Sequence, residues 1–345
     1  MSGRGPEFAA EGGEVLRICV FGAGAVGGHL AAKLAASGND VSVVARGAHL
    51  EAMRARGVTL LHGEQTIHGK VRAAERPAEL GEQDFVLVTL KANLLPAFAR
   101  GAAPLLGRDT AVAFVQNGIP WWYGQGQAGR NPARLPDFSP LDPGGELARA
   151  IAPERVIGGV VFSANEVDAP GVIRNLVPGR NMLVVGEPDD GVSKRIQQLR
   201  NLLDRADMPS PLCKDIRQAI WSKLVLNMGT SILCTITGET VGGVRGNPEL
   251  SALASKLKSE GMAIAAAYGI SSEGAPERPG GGQSSGQIAH KPSMMQDYER
   301  GRPMEIDAQI MLPLAFARAA GVAAPTLEAL APLLAHKARA KQLYK

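Results

Sequence analysis

The sequence predicts an α/β domain built on a parallel sheet, followed by an all-α domain. Three observations predict it. Residues 16–46 read LRICVFGAGAVGGHLAAKLAASGNDVSVVAR. This apolar run breaks into Gly22, Gly24 and Gly27, resumes at helical spacing through Leu30 and Leu34, stops at Gly38 and returns as Val41–Val44. Two further apolar runs, Phe85–Leu90 and Ala111–Val115, have the character of strands buried on both faces. From Ile216 onward the pattern is helical almost throughout.

The first stretch is strand, glycine turn, helix, strand, which is the fingerprint of a Rossmann-type dinucleotide-binding unit. Each glycine has its own task. Gly22 allows the tight turn, Gly24 removes a side chain where a pyrophosphate approaches the backbone, and Gly27 lets the helix lie against the strand. Ala23, Ala25 and Val26 complete the turn, and the unpaired N–H groups of the new helix face the phosphates. The second strand ends in Arg46, with no Asp or Glu to accept from a free ribose hydroxyl. A guanidinium suits a 2′-phosphate, and one such contact, at about 1.5–3 kcal/mol, favours NADP over NAD by roughly 10- to 150-fold. The alternative is a solvated surface Arg.

A chain of 345 residues, 45% hydrophobic and 20% charged, can hold two domains, each with a core. The net charge of +4 fits anionic small molecules. No basic block or aromatic-basic interleaving suggests nucleic acid, and an aromatic fraction of 4% offers no stacking platform. Cys19, Cys213 and Cys234 are few and far apart, which suits a reducing compartment and gives no zinc spacing. His62 and His68 are expected to face solvent. No stretch reaches the length of a membrane span. Residues 1–14 lack the apolar core of a signal peptide and read as a disordered leader.

Taken in order, a helix is expected around Ala48–Arg56 and short strands through Val58–Ile67. Phe85–Leu90 ends in Lys91, a helix follows through Leu105, and Ala111–Val115 ends in Gln116, Asn117 and Gly118. Ligands of open α/β sheets gather at the carboxyl ends of strands, so Lys91 and Asn117 point at the cofactor crevice. Trp121–Gly145 has little period and is too long for an ordinary connection, so it reads as a flap or an association surface. Strands are expected at Val156–Phe162, Gly171–Leu176 and Met182–Gly186, and a helix at Val192–Arg205. The domains then divide as 15–207 and 208–345, where Pro209 and Pro211 interrupt the pattern.

The helix Ile216–Thr235 carries Lys223, Asn227 and Ser231 every four residues, a thin polar line in apolar surroundings. A Lys in such a setting is either functional or snorkels to water. Ser271–Pro292 reads as a mobile Gly/Ser/Pro loop, with Ser293 near the cap of the next helix. Pro303 is expected to open a helix with Glu305 and Asp307 in its first turn. The chain ends in a helix from Pro325 and a basic tail, Lys337–Lys345.

Taken together, GAGAVGG, the strand-ending Arg46, VTLKA, QNG, WSKLVLN and SMMQDYERGRPMEID resemble the ketopantoate reductase (2-dehydropantoate 2-reductase) family, in its order and over nearly the whole chain from Leu16. The resemblance implies a Rossmann domain joined to a helical domain of the 6-phosphogluconate-dehydrogenase-like kind, with the substrate cleft between them. It implies NADPH-dependent reduction of 2-dehydropantoate to (R)-pantoate, on the way to pantothenate and coenzyme A. Residue by residue, it makes Lys223 the catalytic lysine and Glu305 the glutamate that holds it. It assigns substrate contacts to Asn117, Asn227, Ser231 and Ser293, cofactor contacts to the glycine turn and Asn117, and cofactor-phosphate contacts to Arg46 and Lys91. It implies no metal.

Ser231 stands where such proteins commonly carry a second Asn, and the Trp121–Gly145 stretch departs from compact members. Two alternatives therefore stay open here: a reductase of another 2-oxo acid, its pocket reshaped by Trp121 and Trp122, and an NADP(H)-sensing protein without turnover. A sensor would not need Lys223 and Glu305. A homodimer is expected, on the strength of an exposed Trp-rich flap and a helical second domain, and the expected location is the cytoplasm.

Overall fold

The computed structural model describes residues 15–127, 135–271 and 291–345, so the expected leader and nearly all of the 271–292 loop lie outside the described residues. A seven-stranded sheet has the order β11-β8-β7-β6-β1-β2-β5. Its strands are β1 Arg17–Phe21, β2 Asp40–Val44, β5 Arg72–Ala74, β6 Gln83–Val88, β7 Leu106–Val115, β8 Val156–Phe162 and β11 Met182–Gly186. All neighbours are parallel except β11, which runs antiparallel to β8. The central strands are apolar on both faces because α1 (Ala25–Ala36) and the other packed segments cover both sides. The chain leaves β1 toward β2 on one side and β6 on the other, so a crevice opens at the carboxyl ends of β1 and β6.

A second sheet, β4-β3-β10-β9, comprises β3 Val58–His62, β4 Gln65–Gly69, β9 Asn165–Ala169 and β10 Val172–Asn175. It lies over α1 and explains why Gly27 through Leu34 are buried in unbroken succession. Close approach is set by glycine: a β-carbon at Gly28 would meet Ile173 at 2.6 Å. Strands β5 and β9 carry no strong apolar alternation and escape a reading by pattern. His68 is exposed as expected, whereas His62 is half-buried with Nδ1 enclosed, because β10 packs beside it. The helix expected after Lys91 is broken into 3₁₀ turns around a short α3, Leu95–Gly101.

The remaining elements are α2 Gly47–Arg56, α4 Glu146–Ala150, α5 Lys194–Arg205, α6 Ile216–Thr237, α7 Val241–Gly246, α8 Pro248–Ala267, α9 Ser293–Glu299, a π-helical turn Asp307–Met311 leading into α10 Leu312–Ala320, and α11 Pro325–Ala340. Asp215 caps α6 by accepting from the N–H groups of Arg217 and Gln218, and Gly238 ends it in the left-handed region at φ 82°. At 22 residues α6 does reach membrane-spanning length, contrary to the sequence expectation. Its apolar surface is instead taken up by the protein core, with 61% of its most apolar window buried.

One apolar core runs through both halves. Trp121, Trp122 and Tyr123 are 6%, 1% and 1% exposed, so they form neither a flap nor an association surface. Tyr123 and Trp221 pack edge-on against Phe316, and Trp121 against Phe114. Trp221 Nε1 donates to Tyr123 Oη at 2.8 Å. Gly158 makes room for this seam, since a β-carbon there would lie 2.6 Å from Trp122 and 2.7 Å from Ile216. The part of that stretch at 128–134 lies outside the described residues.

Candidate functional site

The crevice widens into a cleft of about 760 Å³ between the parallel sheet and α6. Its floor is the glycine turn. Gly22 has φ +107° and donates to the Val44 carbonyl, and a β-carbon at Gly27 would lie 2.2 Å from the Gly22 carbonyl oxygen. Thr89 Oγ1 donates to that same oxygen at 2.6 Å and ties the turn to the end of β6. At Gly24, the cap of α1, a β-carbon would meet nothing within 4 Å, so the space in front of it is open. No acidic residue occupies the first turn of α1 and no side chain caps it. An open cradle at a bare helix N-terminus fits the diphosphate of a dinucleotide. Arg46, exposed at the cap of α2, borders the same cleft.

The opposite wall is α6. Lys223, Asn227 and Ser231 all line the cleft, as their spacing predicts, although Ser231 is only 4% exposed. Leu226, an apolar neighbour of this line, is 38% exposed beside them. The Lys223 ammonium donates to the Val161 carbonyl at the end of β8 and lies 5.5 Å from the centre of the Phe162 ring. Its half-burial leaves it open to the cleft.

Glu305 arrives differently from the expectation. The helix begins at Ile306, and Glu305 stands just before it, its carbonyl accepting from Gln309 N–H. Pro303 lies two residues further out, and Asp307 accepts from Tyr344 Oη at 2.6 Å. The Glu305 carboxylate accepts from the Ala92 N–H at 2.8 Å, directly after Lys91. Burial pushes its pKa above the usual value, against the Ala92 hydrogen bond and the nearby Lys91 and Lys223 charges. This joint depends on Gly118, at φ +83°, where a β-carbon would lie 2.4 Å from the Ala308 carbonyl oxygen. The next N–H, Ile119, donates to that oxygen at 2.8 Å. Gln116 donates to the Val88 and Leu90 carbonyls, fixing the end of β6, and Asn117 faces the cleft, half-buried, between these contacts.

Lys91 is ion-paired with Asp297 of α9 at 2.5 Å, and Asp297 is nearly buried. On the same short helix Ser293 is exposed to the cleft, while the cap position belongs to Pro292 and closes with no side-chain bond. The simple cap role for Ser293 is therefore not the one it plays. Arg300, one turn on, pairs with Glu166 across the cleft at 3.5 Å.

Residues 18–128 match the family described as ketopantoate reductase PanE/ApbA, and residues 215–338 match its C-terminal domain. A 2-dehydropantoate 2-reductase from Mesorhizobium japonicum is 42% identical over 321 residues, 92% of this chain and 97% of the relative. The chain belongs to the ketopantoate reductase family. A structure solved as a candidate ketopantoate reductase from Ralstonia solanacearum has a TM-score of 0.82 at 35% identity, covering 96% of this chain and 100% of that one. A D-mandelate dehydrogenase solved with NADH and anilino(oxo)acetate, at 19% identity and a TM-score of 0.77 over 96% of this chain and 100% of its own, shares the fold.

Within this ketopantoate reductase family member, Asp297, Ala92 and the Val161 carbonyl are site groups that sequence reasoning passed over. Asp297 could have been found: it lies four residues after Ser293, on the same helix face. Backbone groups such as Val161 and Ala92 leave no trace in residue type. A buried network beside the cleft was also unforeseen, in which Ser163 donates to Asn181 at 2.9 Å and Asn175 to Asn165 at 2.6 Å.

Proposed function

We propose that this oxidoreductase reduces the 2-oxo group of 2-dehydropantoate to (R)-pantoate with NADPH, the cofactor on residues 15–207 and the catalytic wall on 208–345. The observation that carries this reading is that Lys223 and Glu305, from the helical half, line the same cleft as the open glycine cradle. The cradle and the N–H groups of α1 would take the diphosphate, and Arg46 the 2′-phosphate. When bound, the reduced nicotinamide supplies the hydride that C2 accepts.

The protein's own residues then deal with the oxygen. As C2 gains hydride, its oxygen gains negative charge, which an adjacent ammonium stabilises and protonates. Lys223 is held for this by the Val161 carbonyl, which accepts from its ammonium at the edge of the cleft. Glu305, fixed by Ala92, adds a carboxylate to the same pocket and balances the ammonium once ionised. Asn117, Asn227 and Ser293 offer neutral hydrogen bonds for the substrate carboxylate and hydroxyl. Lys91, held by Asp297, would offer its ammonium to a cofactor phosphate.

The test is NADPH oxidation, followed by absorbance, with 2-dehydropantoate and a panel of other 2-oxo acids. Turnover on 2-dehydropantoate that falls about 10²-fold or more in Lys223→Ala supports both substrate and proton donor. Turnover confined to another 2-oxo acid moves the substrate and keeps the mechanism. Tight NADPH binding without turnover on any of them overturns the reading.

A further inference from the structure

Helix α6 contains one glycine, Gly229, which is buried two residues past Asn227. Glycine in a helix interior is unfavourable relative to alanine, so its presence asks for a reason in packing. The reason is Lys258 of α8. A β-carbon at 229 would lie 2.5 Å from Lys258 Cε, 2.7 Å from Cγ and 3.1 Å from Cδ, so the lysine stem lies in the groove that the missing side chain leaves. The stem crosses α6 there, and Lys258 lines the cleft together with Leu226, Thr230 and Ser231.

Arg245 of α7 also lines the cleft, but it is exposed. Thr230 Oγ1 donates back to the Leu226 carbonyl, and Ser231 is almost wholly buried. Lys258 is half-buried and has no hydrogen-bond or ion-pair partner among the described residues. A partly desolvated ammonium in a cleft calls for an oxygen acceptor. It enters one to two turns of α6 from Lys223, roughly 5–10 Å along the axis. That is the reach of a substituent on C3 or C4 of a 2-oxo acid whose C2 oxygen lies at Lys223.

We infer that Lys258, seated by Gly229, is a specificity-determining residue that donates to an oxygen at the far end of the substrate from the reacting carbonyl. The inference rests on the 2-oxo acid reductase reading above. In 2-dehydropantoate that oxygen is the hydroxymethyl group.

The experiment compares kcat/KM for 2-dehydropantoate with that for 3,3-dimethyl-2-oxobutanoate, which carries methyl in place of hydroxymethyl. It uses the full chain, Lys258→Met, Lys258→Arg and Gly229→Ala, with NADPH dissociation constants measured alongside. The preference for the hydroxylated acid should shrink about 10-fold in Lys258→Met, through KM rather than kcat, and be largely kept in Lys258→Arg. Gly229→Ala, which retains the ammonium but displaces its stem, should lose part of the same preference. NADPH affinity should stay within about 2-fold of the parent, because the cofactor cradle is on the other wall. Equal loss on both acids would make Lys258 structural, and a selective loss of NADPH affinity would make it a cofactor contact; either overturns the inference. A parent chain that does not reduce 2-dehydropantoate overturns the functional reading and this inference together, whereas unchanged selectivity in an active enzyme overturns this inference alone.

Discussion

Two cations six residues apart on α6 meet opposite fates. Arg217 is 0% exposed, and its guanidinium donates to the carbonyls of Tyr123 (2.9 and 3.3 Å), Pro188 (2.6 Å) and Gln125. It also lies 5.2 Å from the Tyr123 ring centre and 3.8 Å from Asp190. Lys223 donates to the Val161 carbonyl and fronts a cleft with room for a ligand. The difference shows that a cation in apolar surroundings does not by itself mark a site. A planar fork saturated by backbone carbonyls clamps two halves of a molecule, while an ammonium at the edge of an open cleft can meet a ligand there.

The comparison breaks most decisively at Arg217. Arg217→Ala leaves several buried carbonyls without donors and should cost about 3–5 kcal/mol of stability, read as a lowered urea midpoint. Lys223→Ala should leave the midpoint within about 1 kcal/mol while removing turnover, since its carbonyl partner sits at the cleft edge where water can replace it. If Arg217→Ala were stable but inactive, the clamp and the catalyst would have been assigned to the wrong cations.

Legibility follows the same division. The glycine turn, the strands ending in Lys91 and Asn117, and the Lys223–Asn227–Ser231 line were readable because local spacing alone places them on one side of a turn or helix. Arg217 was not, since its partners at 123, 125 and 188 are distant in sequence and contribute carbonyls, which every residue has. The paired Trp were misread for a related reason. A stretch without period looks like an exposed flap, yet these rings fill the seam where Gly158 leaves space, a tertiary fact absent from the local pattern. Glu305 was found by resemblance but placed one turn too deep in its helix, because proline opens helices more often than it precedes them by three residues.

A smaller effect sharpens the contrast between the two walls. Arg46 is exposed and belongs to the cofactor side, so Arg46→Ala should leave stability nearly unchanged. It should lower the NADPH-over-NADH preference in kcat/KM by about 10- to 150-fold, the equivalent of one charge-assisted contact. Equal loss with both cofactors would place Arg46 on the diphosphate instead of the 2′-phosphate.

The last contrast concerns Glu305, which stands between the two behaviours, buried like Arg217 but facing the cleft like Lys223. Burial raises its pKa, so the folded chain holds the carboxyl proton more tightly than the unfolded chain does. The contribution of such a group is intact below the unfolded value, near 4.5, and is lost as pH rises through the raised folded value. The parent chain should therefore lose ground to Glu305→Gln as pH climbs from about 4.5 toward neutrality. Urea midpoints of both proteins across that range should converge or cross. A gap that instead widens in favour of the parent would mean that the Ala92 N–H and the Lys91 and Lys223 charges outweigh burial. Glu305 would then be ionised throughout, a standing counter-charge for Lys223 rather than a carboxyl that holds its proton.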